Sequence, residues 1–71
     1  MPDIVMLRKR MDESGMTVKA IAEKSGILRE TLYNRLKGTG EFTASEIVSL
    51  SNTLHLTASE RDAIFFAEKV E

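Results

Sequence analysis

Seventy-one residues allow one domain around one modest core, and the lack of cysteine excludes disulfides and thiolate metal sites. The formal net charge of −1 hides a split: residues 1–40 hold eight basic side chains against five acids, and residues 41–71 hold two against six. A polyanion answers to the local field it meets, so local nets of +3 and −4 permit nucleic-acid binding without establishing it.

The lone His55 has no carboxylates at metal-ligand spacing, so neither a metal nor a cofactor is expected. Nothing resembles a signal peptide, and no apolar run is long enough to cross a bilayer, which points to a soluble intracellular protein. Without disulfides or metals, tight helix packing, helped by a second subunit, has to supply the stability.

Apolar residues recur at helical spacing almost throughout, with no repeat and no linker that would divide residues 1–71. Ile4, Leu7 and Met11 mark a first helix over about 3–14, stopped by Gly15. Thr17 is placed to cap a second helix over about 18–24, with Met16 and Ile21 at hydrophobic-staple spacing. Ser25-Gly26 ends it, because glycine takes the left-handed conformation that closes a helix. A third helix runs from about Leu28 to Lys37 and ends at Gly38-Thr39-Gly40. Leu28 is a poor cap for it. Thr43-Ala44-Ser45-Glu46 is a capping box with Phe42 and Ile47 as its staple, and it starts a helix over 44–54 with Ile47, Leu50 and Leu54 inward. Thr57-Ala58-Ser59-Glu60 repeats the box and starts a last helix over about 58–69. No segment alternates with period two, so the expected architecture is all-α, a compact bundle of five short helices.

The stretch from Thr17 to Gly38 is the informative one. A short helix, a glycine-containing turn and a second short helix meet the requirement for laying a helix in the major groove of DNA. At ~100° per residue, Arg29, Glu30, Tyr33, Asn34 and Lys37 fall within an arc of about 140° on the third helix, and Leu28, Leu32 and Leu36 within about 80° elsewhere. Arg can grip guanine, Asn can pair with adenine, and Tyr and Lys can reach phosphates. Glu30 has either to accept from cytosine N4 or to hold a neighbouring arginine. A merely solvated helix face would show the same arc.

Thr17, the Ile21-Ala22 pair, Gly26-Ile27, Thr31-Leu32 and the closing Leu36-Lys37-Gly38 resemble the Cro/C1-type (Xre-like) helix-turn-helix family of phage repressors and bacterial regulators. Gly15-Met16-Thr17 is similar to that family's Gly-Leu-Thr opening, and the five-helix plan covers nearly the whole chain. The resemblance implies a lambda-repressor-like fold and a cytoplasmic regulator, in a bacterial cell or phage-infected host, with a small phage or prophage Cro-like protein as the nearest likeness. It implies that Arg29, Glu30 and Asn34 contact bases with Leu28 and Tyr33 beside them. Thr17, Lys19, Lys37 and Thr39 fall at phosphate-contact positions. Two departures stand out. Val18 occupies a position where many members have Gln, and Leu28 one where Ser or another capping residue is usual. Leu28 would either press on a thymine methyl or pack under the helix.

Other features divide between structure and function. Arg8, Lys9 and Arg10 read as a solvated helix face or as electrostatic support for DNA. Ala63, Ile64, Phe66, Ala67 and Val70 share a face of the last helix, whereas Phe65 points away. Phe65 is therefore either an exposed aromatic at a subunit interface or a residue folded against the first helix. The expected function is sequence-specific double-stranded DNA binding as a homodimer, with repression governed by concentration and competition for sites because no second domain for ligand sensing is present. An anti-repressor or antitoxin that binds a protein, either a repressor or a toxin, is the alternative. No nucleophile–base–acid set is visible, so an enzyme is not expected.

Overall fold

A computed structural model describes residues 2–67, and among them it holds five helices and no strand. They are α1 (Ile4–Glu13), α2 (Val18–Ser25), α3 (Arg29–Leu36), α4 (Ala44–Thr53) and α5 (Ala58–Phe65). The starts follow local chemistry. Asp3 accepts from the Met6 amide at α1, and Thr17 accepts from Ala20 at α2. Both capping boxes are complete: Thr43 and Glu46 exchange bonds at α4, and Thr57 and Glu60 do so at α5. Each such oxygen satisfies an amide that the helix itself leaves unpaired, a contribution of about 1 kcal/mol.

Left-handed residues close the ends of α2, α3 and α4. Gly26 (φ 73°) closes α2, with the Ile27 amide donating to the Ala22 carbonyl. Gly38 (φ 88°) follows α3 in the same way, with Thr39 donating to Asn34. At α4 the left-handed residue is His55 (φ 55°), and Leu56 donates back to Ser51. His55 is exposed and carries this conformation without the advantage glycine has.

The core is built from one stripe of each helix. Leu7 and Met11 come from α1, Ile21 and Ala22 from α2, Leu32 and Leu36 from α3, and Ile47 and Leu50 from α4. Ile27, Leu54, Ile64 and Phe65 complete it, with Met16, Val18 and Phe42 packed on its margin. Helix α2 packs on both α3 and α4, and α5 packs on both α1 and α4. The Asp3 amide donates to the Ile64 carbonyl, joining the start of α1 to α5.

The structure corrects the end of the last helix and its apolar face, and it decides between the alternatives left open for Phe65 and Leu28. The last helix stops at Phe65 instead of about 69, because Phe66 (φ −118°, ψ 27°) has left the helical conformation; residues 68 and 69 lie outside the described residues. Phe65 is not an exposed aromatic: it is 5% exposed and meets Phe42 edge-on at a ring-centroid distance of 5.2 Å. It packs inward because α5 is gripped from two sides, so its buried arc includes both Ile64 and Phe65. Phe66 and Ala63, placed on the shared apolar face by periodicity, are instead exposed, and Val70 lies outside the described residues. Leu28 does not pack under α3, being 76% exposed. It sits at the cap position with an extended ψ of 136°, so it does not follow the rotation that carries Leu32 and Leu36 inward. Among the described residues no helix is long and apolar enough to cross a membrane, and no acidic or histidine cluster is arranged to hold a metal.

Candidate nucleic-acid interface

Helix α3 is anchored from beneath and open above. Leu32 and Leu36 fix its inner side in the core, and α2 braces it across the turn at Gly26-Ile27. Arg29, Glu30, Tyr33 and Lys37 are exposed, and Asn34 is half-buried beside them. The five residues of the polar arc therefore share the free side of the helix, and Leu28 stands exposed at its N-terminal end. No side-chain oxygen caps α3, so the departure at Leu28 leaves its first-turn amides without a local acceptor.

Ion pairing sorts the basic residues into two groups. Among the described residues Arg10, Arg35 and Arg61 are paired: Arg10 with Glu60 and Glu13, Arg35 with Glu46 and Arg61 with Asp62. Arg8, Lys9, Lys19, Lys24, Arg29 and Lys37 make no ion pair with any described residue. These six all lie within the first forty residues, so among the described residues the basic side chains without an ion pair belong to α1, α2, α3 and the cap of α3. Arg10 leaves the basic run Arg8-Lys9-Arg10 and acts as a tie between α1 and α5. Glu30 holds no arginine among the described residues, so the second of its two expected roles is not realised in the free chain.

The phosphate-contact candidates flank this helix. Thr17 is exposed at the start of α2, with its hydroxyl bonded to the Ala20 amide. Lys19 is exposed two residues on, and Lys37 and Thr39 are exposed where α3 gives way to the loop. Val18, the departure from the family's Gln, is half-buried against the core, so the lost polar group is replaced by packing. Sequence reading missed one residue of this region. Arg35 lies beside the polar arc but turns toward α4, where its Nε donates to Glu46 Oε1 at 3.2 Å. Its position, eleven residues from Glu46 and across a loop, left no local signal.

The model of the helix-turn-helix family matches residues 7–60, from the middle of α1 to the first turn of α5. No curated protein and no solved structure matches the chain.

Proposed function

Because this chain belongs to the helix-turn-helix family, of the Cro/C1 type, and so is a DNA-binding transcriptional regulator, we propose that it represses transcription as a homodimer, each subunit laying α3 in the major groove. The observation that carries this reading is the combination in α3 of a buried inner side with an exposed arc whose arginine and lysine are unpaired among the described residues. Arg29 grips guanine through two acceptors, Asn34 pairs with adenine, and Glu30 accepts from cytosine N4. Tyr33 and Leu28 flank them, Leu28 against a thymine methyl. Thr17, Lys19, Lys37 and Thr39 hold phosphates and set the register.

Selection of bound sequences from random duplex DNA tests the reading. A dimer of this kind enriches an inverted repeat with half-sites about 34 Å apart along the duplex. Arg29→Ala or Asn34→Ala then costs about 1–3 kcal/mol of binding to the enriched duplex while the helical circular dichroism is unchanged. Recovery of no enriched sequence, or normal discrimination by both variants, removes α3 from the reading role.

A second reading keeps the fold and changes the target. Val48 and Phe66 are 55% and 57% exposed and line one apolar surface with Ala44. Such a surface suits a protein partner, as an anti-repressor or antitoxin needs, or the second subunit of the dimer. DNA affinity that ignores salt concentration favours this reading, because phosphate contacts make affinity fall steeply with salt.

A further inference from the structure

In the segment joining α3 to α4, the amides of Lys37, Gly38 and Thr39 donate back into the last turn of α3, and the chain then runs through Gly40 and Glu41 toward the cap of α4. Gly38 and Gly40 are both left-handed, and Lys37, Gly38, Thr39, Gly40 and Glu41 are all exposed. Glycine has the largest backbone freedom to lose, so a loop with two of them gains from a further constraint beyond those amide bonds. Arg35 supplies it. Its Nη1 donates to the Thr39 carbonyl at 3.4 Å, and its Nε donates to Glu46 Oε1 at 3.2 Å. That same carboxylate oxygen accepts from the Thr43 amide at 2.9 Å and so closes the capping box of α4. One guanidinium thereby connects the last turn of α3, the middle of the loop and the first turn of α4.

The fit is close. The Arg35 and Glu46 side chains are only 20% and 14% exposed, so the pair is shielded from much of the screening that weakens surface pairs. A Cβ at Gly40 would meet Arg35 Nη1, so a side chain there would push the guanidinium from its place, and the φ of 78° separately favours glycine. The guanidinium occupies the hollow of the loop, where a planar group with several donors can serve two acceptors at once.

We infer that Arg35 is a positioning residue for DNA binding. It spends its charge on Glu46 and does not touch phosphate; it fixes the Lys37–Thr39 segment so that this segment meets the backbone in one geometry. The inference rests on the proposed phosphate contacts of Lys37 and Thr39. Because phosphate contacts are blind to sequence, losing the geometry should weaken cognate and scrambled duplexes alike and make the salt dependence shallower.

The test uses the pair Arg35→Met/Glu46→Gln, which removes one positive and one negative charge and so leaves net charge unchanged. The Gln can still accept from the Thr43 amide, so the capping box is kept. Binding is measured across salt concentrations at a temperature where circular dichroism shows the variant folded. The expected result is a loss of about tenfold on both enriched and scrambled duplexes, with the salt slope reduced by about one. If the double variant does not fold, Arg35→Lys replaces it. It keeps the charge but cannot span both acceptors, and a several-fold loss with the same shallower slope is expected.

Wild-type affinity and slope in a folded variant overturn the inference and leave Arg35 as a bridge for stability alone. Two controls separate this failure from that of the DNA reading. If Lys37→Ala and Arg29→Ala also bind normally, the reading falls and the inference with it. If they bind weakly while the Arg35 variant binds normally, only the inference falls.

Discussion

At the scale of single residues, Leu28 is where stability and recognition pull in opposite directions. It occupies the cap of α3, makes no side-chain bond to the first-turn amides and is largely exposed. Leu28→Ser supplies the missing acceptor and should raise stability by about 1 kcal/mol in thermal denaturation. The same change removes the apolar group proposed to press on a thymine methyl, so affinity for the selected duplex should fall. A variant that gains both stability and affinity would show that Leu28 takes no part in recognition. Arg29, Glu30 and Asn34 were legible as a polar face from spacing alone, and their exposed or half-buried state in the structure agrees. Arg35 was not legible, because nothing within four residues of it accepts its Nε hydrogen bond.

At the scale of elements, one four-residue motif is used twice, and each time it does more than start a helix. Glu46 and Glu60 both return a carboxylate to the cap amide, and both also receive an arginine from an earlier helix, Arg35 from α3 and Arg10 from α1. The carboxylates also lie at helix N-termini, where the helix dipole favours negative charge. The capping half of this arrangement is a local pattern and reads from the sequence; the arginine half is tertiary and does not. Helix ends are less uniform. His55 closes α4 in a left-handed conformation that costs a side-chain-bearing residue free energy. His55→Gly should therefore stabilise the protein by about 0.5–1 kcal/mol in chemical denaturation, the larger unfolded-state entropy of glycine offsetting part of the gain. Unchanged or lower stability would mean that the imidazole contributes something the backbone geometry does not reveal.

At the scale of the whole molecule, Glu60 links the two ends of the bundle, and its titration should be felt as acid sensitivity. The Thr57 amide first, and then the Arg10 guanidinium, hold its carboxyl below the ordinary glutamate value. A lowered native pKa means that the unfolded chain takes up the proton first as pH falls. The stabilisation is therefore complete above the ordinary glutamate range and is lost as pH drops through the lowered native value. Melting temperature followed against pH should show a steeper acid limb in the wild type than in Glu60→Gln, which keeps a cap acceptor but does not titrate. Parallel limbs would mean that Glu60 is not the group responsible.

What the sequence determined by itself is what short-range chemistry controls. Thr17, Thr43 and Thr57 mark helix starts because their oxygens reach amides three residues on, and Gly26 and Gly38 mark ends because their backbone can turn left-handed. The ordered landmarks from Thr17 to Gly38, through their family resemblance, identified the helix-turn-helix, and Leu32, Leu36, Ile47 and Leu50 followed as inward residues from periodicity. Only the tertiary structure decided which of Phe65 and Phe66 faces inward, because that depends on where α1 and α4 lie around α5 and not on the rotation within it. It also decided which arginines are spent on ion pairs inside the fold and which basic groups, among the described residues, stay without one. A helix repeats every few residues and carries its own pattern, whereas an ion pair across eleven or fifty residues exists only once the chain has closed on itself.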